Sequence, residues 1–236
     1  MEINIRFTRF TILVLLIHIS GVSFAKTSIT GLRCEYLCNP LGMNVANPRL
    51  SWLIESSEAN VNQTACEIRV ATSVELLRTQ RNLVWSTGKV NSDQSVNLEY
   101  KGPSLESKTR YFWQVRIWDN KGKSTDWSTP AWWETALLEP SLWKADWIFA
   151  TGKTPGDHRP VYFRKEFSIN KKIRSARLYI SSLGLYQAFI NGVKVSADLF
   201  TPGWTSFNKR IQYQTYDITN YLGSQNAIGA IVGDGW

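Results

Sequence analysis

Arg110-Tyr111-Phe112-Trp113-Gln114-Val115-Arg116-Ile117-Trp118-Asp119 is the stretch on which the reading of the whole chain turns. Tyr111, Trp113, Val115 and Ile117 alternate with Phe112, Gln114, Arg116 and Trp118. Successive side chains of an extended backbone point to opposite faces, so one face of this segment is wholly apolar. Aromatic and β-branched residues suit a pleated surface, and a strand is predicted. Asp119-Asn120-Lys121-Gly122 then offers residues that tolerate positive φ, and Trp127-Ser128 leads into the next apolar run, which is the grammar of a hairpin.

Working outward, further short apolar runs stand between turn signals at Arg49 to Glu55, Cys66 to Thr72, Leu83 to Ser86 and Ala131 to Thr135. One short helix is predicted at Val74 to Gln80, with Ser73 as its cap. The strand pattern stops between Leu137 and Trp143, where Glu139-Pro140 interrupts pairing, so a first domain over residues 26–138 and a second over 139–236 are expected. Alternation resumes at Val161 to Ile169, Ala176 to Ser182, Leu185 to Ile190 and Val193 to Val195, with Asn191-Gly192 in the position of a two-residue turn. Strands are also predicted at Ile211 to Asp217 and Asn226 to Val232. Both domains thus read as all-β. The second is expected to be incomplete, because strands that would close its sheets do not follow, and poor cooperativity of unfolding is expected with it.

Residues 1–25 read as a secretory leader: Arg6 and Arg9 precede an apolar run from Phe10 to Val22, and Ser23-Phe24-Ala25 supplies a small-residue end, so cleavage after Ala25 is predicted. The run is shorter than the roughly 20 residues needed to span a bilayer. A periplasmic or secreted protein, with no membrane attachment after cleavage, is the expectation. Losing Arg6, Arg9 and Glu2 lowers the formal net charge from +8 to +7, and the remaining charge is scattered. With no run of five Lys or Arg, a nucleic-acid partner is not expected.

Cys34, Cys38 and Cys66 form an odd set, so at most one bridge closes within the chain and packing must supply stability. Cys34 and Cys38 on one strand would share a face, which suits two buried thiols as well as one strained bridge. After cleavage His158 is the only histidine left, and neither a metal site nor a cofactor is expected. HExxH, GxSxG and GxxxxGK[ST] motifs are absent, and Gly152-Lys153-Thr154 lacks the upstream glycine of a phosphate loop. A glycosidase needs two carboxyl groups about 5 to 10 Å apart. Asp146, Asp157, Glu166, Asp198, Asp217 and Asp234 are the candidates, but each has an ordinary turn or strand-end reading, so no catalytic residue is assigned. Asn62-Gln63-Thr64 fits a glycosylation sequon and carries little weight. Eleven tryptophans invite a sugar-stacking reading. Trp52, Trp113, Trp118, Trp127, Trp132 and Trp133 lie in or beside strands, where a sandwich normally buries them. Trp204, in Thr201-Pro202-Gly203-Trp204-Thr205, is the one candidate ligand-binding residue.

Pro48-Arg49-Leu50-Ser51-Trp52, the run from Val84 to Val90 and the run from Tyr111 to Asp119 resemble, in order and spacing, the fibronectin-III-like leading domain of bacterial α-L-rhamnosidases, the family-78 glycoside hydrolases. The second half is similar to that family's N-terminal β-sandwich domain through Tyr186 to Gly192, Thr201 to Thr205, Tyr213 to Thr219 and Gly233 to Trp236. The resemblance implies a fibronectin-III or immunoglobulin-like sandwich followed by a jelly-roll-like one. It also implies a complete enzyme that removes terminal α-L-rhamnose from glycans and glycosides by inversion, with acidic residues in an (α/α)6 barrel beyond Trp236. The expected partner of these domains is that catalytic domain, and rhamnosylated glycans are the expected substrate class. A calcium-dependent sugar module is not expected, since no insertion is long enough to hold one. The rival readings are a free-standing carbohydrate-binding module and a purely structural immunoglobulin-like protein.

Overall fold

The alternating segment Arg110–Asp119 is a strand with the expected two faces: Tyr111, Trp113, Val115 and Ile117 are all buried. The structure, a computed structural model, describes residues 27–152, 154 and 156–235. The leader expected at residues 1–25 lies outside the described residues.

Chain order in the first sandwich is Thr27–Cys34 (β1), Arg49–Ser56 (β2), Gln63–Ala71 (β3), the helix Val74–Thr79 (α1), Trp85–Ser86 (β4), Val90–Asn91 (β5), Leu98–Glu99 (β6), Arg110–Asp119 (β7) and Ala131–Glu134 (β8). One sheet has the order β1-β2-β6 and the other β4-β3-β7-β8, with β5 also on β3. Every pairing in these sheets is antiparallel. The sheets close on a continuous core in which Leu50, Trp52, Ile68, Val70, Trp113, Val115, Ile117 and Trp133 are all at most 1% exposed. Trp52 donates its indole N–H to Gln63 Oε1 at 3.1 Å, and Gln63 in turn donates to the carbonyls of Ser92 and Gln94, so this buried polar group is satisfied. Ser73 caps the helix by accepting the Leu76 N–H, and Gln80 ends it in the left-handed conformation.

The other face of β7 is half-buried under a ladder of stacked cations. Arg69 lies 4.2 Å over the Trp127 ring, Arg116 lies 4.8 Å from Trp127 and 4.9 Å from Trp118, and Lys89 lies 4.5 Å over Trp118. Glu67 accepts from both Arg69 and Arg116, offsetting part of the row's positive charge. Trp52, Trp113 and Trp133 are therefore core residues, whereas Trp118, Trp127 and Trp132 are half-covered by cations.

One expectation needs correction, and one long strand went unread. Cys34 and Cys38 do not share a strand face: β1 ends at Cys34, and Glu35 and Tyr36 turn the chain with positive φ, leaving Cys34 buried and Cys38 exposed. Both thiols are free, and burial pushes the Cys34 pKa up to about 12. Strand β1 was not read from the sequence. A bulge between Thr30 and Arg33 breaks its alternation, and Gly31 (φ +59) sits there because a Cβ would meet the Leu53 side chain at 2.9 Å.

The second sandwich comprises Val161–Ser168 (β9), Arg177–Ile180 (β10), Leu185–Ile190 (β11), Val193–Lys194 (β12), Gln214–Asp217 (β13) and Gln225–Gly233 (β14). A four-stranded sheet of order β12-β11-β14-β9 faces a two-stranded sheet, β10-β13. Asn191 (φ +52) and Gly192 (φ +81) make the predicted turn between β11 and β12. Tyr186, Ala188, Ile190, Val195 and Ile218 form its small buried core.

Candidate functional site: an uncovered trough on the second sandwich

The four-stranded sheet is wider than the two-stranded sheet that covers it, and what remains open is a trough of about 770 Å³. Its floor is the inner face of the larger sheet. Val161 and Phe163 of β9 stand beside Ala230, Ile228 and Val232 of β14, in the register Phe163↔Ala230 and Val161↔Val232. Period two places these residues on one face, just as it places Trp113 and Val115 in the first sandwich. One wall is β10, through Leu178 and Ile180. The other is the segment after the 3-10 turn Pro140–Leu142, which brings Trp143, Trp147, Ile148 and Phe149 alongside. Phe149 is 81% exposed. Arg164, Lys165, Asp146 and Asp234 supply charge at the margin. An exposed apolar area of this kind is the mark of a contact surface.

Trp204 is not among the trough's residues. It is 73% exposed on the loop after β12, near the exposed Leu199 and Phe200, and the loop is tied down by Thr201, whose hydroxyl donates to the Tyr186 carbonyl at 2.7 Å. Of the carboxylates considered for catalysis, Asp146 and Asp234 border the trough, and most of the six are taken up by neighbours. Asp157 takes Arg159, Glu166 takes Arg164, Asp198 accepts from the Tyr216 hydroxyl at 3.1 Å and Asp234 pairs with His158 at 2.7 Å. Asp217 accepts from Thr219 and faces Arg177. Burial works to raise its pKa, but the Thr219 hydrogen bonds and the charges of Arg177 and Arg110 outweigh that and hold it below the usual value. Among the described residues no group of three or more His, Cys, Asp or Glu is placed to hold a metal ion. The linker aromatics were missed from the sequence, because a segment without alternation carries no signal of what it lies against.

Fold and site together define a class: two consecutive antiparallel β-sandwiches, one closed and one with an open apolar face. Residues 29–139 match the family model for the Rha78A-like N-terminal immunoglobulin domain, and residues 171–236 match that for the α-L-rhamnosidase N-terminal domain. An α-L-rhamnosidase of Formosa agariphila is 41% identical over 207 residues, covering 84% of this chain and 22% of the relative. One from Alteromonas sp. is 37% identical over 212 residues, covering 86% and 23%. The solved α-L-rhamnosidase of Dictyoglumus thermophilum superposes with a TM-score of 0.83 at 38% identity, over 88% of this chain and 25% of that one. That of Aspergillus terreus superposes with a TM-score of 0.74 at 34% identity, over 89% and 24%. The chain belongs to the α-L-rhamnosidase family and corresponds to its N-terminal domains. It spans about a quarter of the length of these relatives.

Proposed function

We propose that this chain is the non-catalytic leading segment of a secreted enzyme that removes terminal α-L-rhamnose from glycans, and that it scaffolds the catalytic region. The observation that carries the reading is the trough: a cavity of about 770 Å³ lined mostly by apolar side chains, which further polypeptide of the same enzyme would cover. Burying such a face yields roughly 25 cal/mol per Å² of apolar surface, which favours a lasting contact over a transient one. The two domains are taken to divide at Leu138 and Glu139, and residues 1–25 to be a leader removed after Ala25. Sequencing the N-terminus of protein recovered from periplasm or medium should begin at Lys26.

Residues 26–236 should be mixed with the C-terminal three quarters of the Formosa agariphila relative, made without its own leading quarter. Association, and a higher Tm for the catalytic part, are expected, and Phe163→Asp should abolish both. No 4-nitrophenol should be released from its α-L-rhamnoside by the chain alone. Absence of association, or hydrolysis by the isolated chain, would overturn the reading.

A second reading, carbohydrate capture, is favoured by Trp204, which is exposed, as are Leu199 and Phe200, on a loop tethered through Thr201. Titration calorimetry with L-rhamnose and rhamnogalacturonan tests it. Heats unchanged up to millimolar sugar remove it, and heats lost in Trp204→Ala would establish it.

A further inference from the structure

The two-stranded sheet β10-β13 is unusually small to persist, and the structure shows what holds it: both of its faces are covered. Leu178, Ile180 and Tyr216 point into the second sandwich, where they pack on its core. Arg177, Tyr179, Tyr213, Thr215 and Asp217 occupy the opposite face, as the register Arg177↔Asp217 and Tyr179↔Thr215 requires. That face meets the first sandwich. The Leu137 N–H donates to the Tyr213 hydroxyl at 3.1 Å. Gly42 (φ +76) lies so close that a Cβ there would stand 2.6 Å from Thr215 Oγ1.

At the centre is Glu134, the last residue of β8 and 5% exposed. Arg177 reaches it as a fork, Nε to Oε1 at 2.6 Å and Nη2 to Oε2 at 2.8 Å. Arg110, stacked 3.9 Å over Trp132, donates from its Nε to Oε2 at 3.0 Å within the first sandwich. Asp217 balances the second guanidinium at 3.0 Å from Arg177 Nη1. A buried carboxylate deprived of a partner is left as uncompensated charge, and a two-point fork fixes an angle as well as a distance.

We infer that Glu134 and Arg177 form an orientation lock that makes the two sandwiches one rigid body, with β10-β13 as the shared layer between them. The lock concerns this chain's own geometry and stands or falls separately from the scaffold reading.

Spin labels placed on cysteines at the exposed Ser57 and Lys172, in a Cys38→Ser background, read the distance between the sandwiches by pulsed electron resonance. The unaltered lock should give one narrow distribution. Glu134→Ala and Arg177→Met should each at least double its width while far-UV circular dichroism stays the same. Should Glu134→Ala fail to fold, Arg177→Lys decides, since it keeps the charge and loses the fork, and it too should broaden the distribution. Unchanged width in folded variants, or a broad distribution in the parent protein, would overturn the inference.

Discussion

The two sandwiches announce themselves in the same way and end differently. In the first, β7 presents Tyr111, Trp113, Val115 and Ile117 to a facing sheet that covers them fully. In the second, β14 likewise sets Ile228, Ala230 and Val232 on one face, but they alternate with glycine, alanine and Ile231 rather than with polar residues, and they remain half-buried opposite a sheet with two strands among the described residues. One apolar face per strand therefore ends as a closed core in one place and as an open face in the other. The difference lies in what comes to lie opposite, and the scaffold proposed above would use both: a closed part and a part left open for a neighbour.

The comparison can be broken most directly by truncating matched residues. Trp113→Ala empties a site of 0% exposure and should cost about 3–5 kcal/mol, seen as loss of the folded first sandwich in urea titration. Ile228→Ala, on the trough floor, should cost less than about 1.5 kcal/mol, because its neighbours already border open space. Equal losses would show that the two cores are alike after all.

A smaller effect is expected where β11 begins in the second sandwich. Gly184 adopts φ +108, and a Cβ there would lie 2.3 Å from the Gly233 carbonyl oxygen. Backbone, unlike a flexible side chain, cannot yield cheaply, so Gly184→Ala should destabilise by more than about 1 kcal/mol. Amide hydrogen exchange should locate the loss in β11 and β14 while β3 and β7 keep their protection. Loss spread over both sandwiches would instead extend the orientation lock into a shared folding unit.

The least effect is a pH dependence in the first sandwich. A hydrogen bond from Arg49 holds the Glu35 carboxyl below its ordinary 4.5, and the guanidinium charge adds to it. A folded pKa below the unfolded one means stability that is fully present above about pH 4.5 and lost as pH falls through the folded value. Glu35→Gln should lower the Tm of the first sandwich slightly at neutral pH, where the ionised pair contributes, and flatten its profile below pH 4.5, so that the two proteins converge in acid, as read from Tm against pH.

Much of the fold was legible, for reasons that vary with the element. Arg110–Asp119 and Leu185–Ile190 were read with their observed ends, since unbroken alternation is a local property. The helix and its Ser73 cap were legible because capping needs only neighbouring residues. Strand β1 escaped, hidden by the bulge at Gly31, and so did β5 and β6, two residues each and held only by their partners. Trp204 was singled out by its place beside Pro202 and Gly203 and lies exposed on a loop, while the aromatic wall of the trough went unread.

By itself the sequence determined which segments are extended, where they turn and, through its resemblance to known enzymes, which family supplies them. Alternation, turn residues and caps act over a few positions and can be read without the rest of the chain. Only the tertiary structure decided that Glu134 meets Arg177, 43 residues away, and that one apolar face is covered while another stays open. Pairing and coverage depend on closing long stretches of chain upon one another, and no short spacing records their outcome.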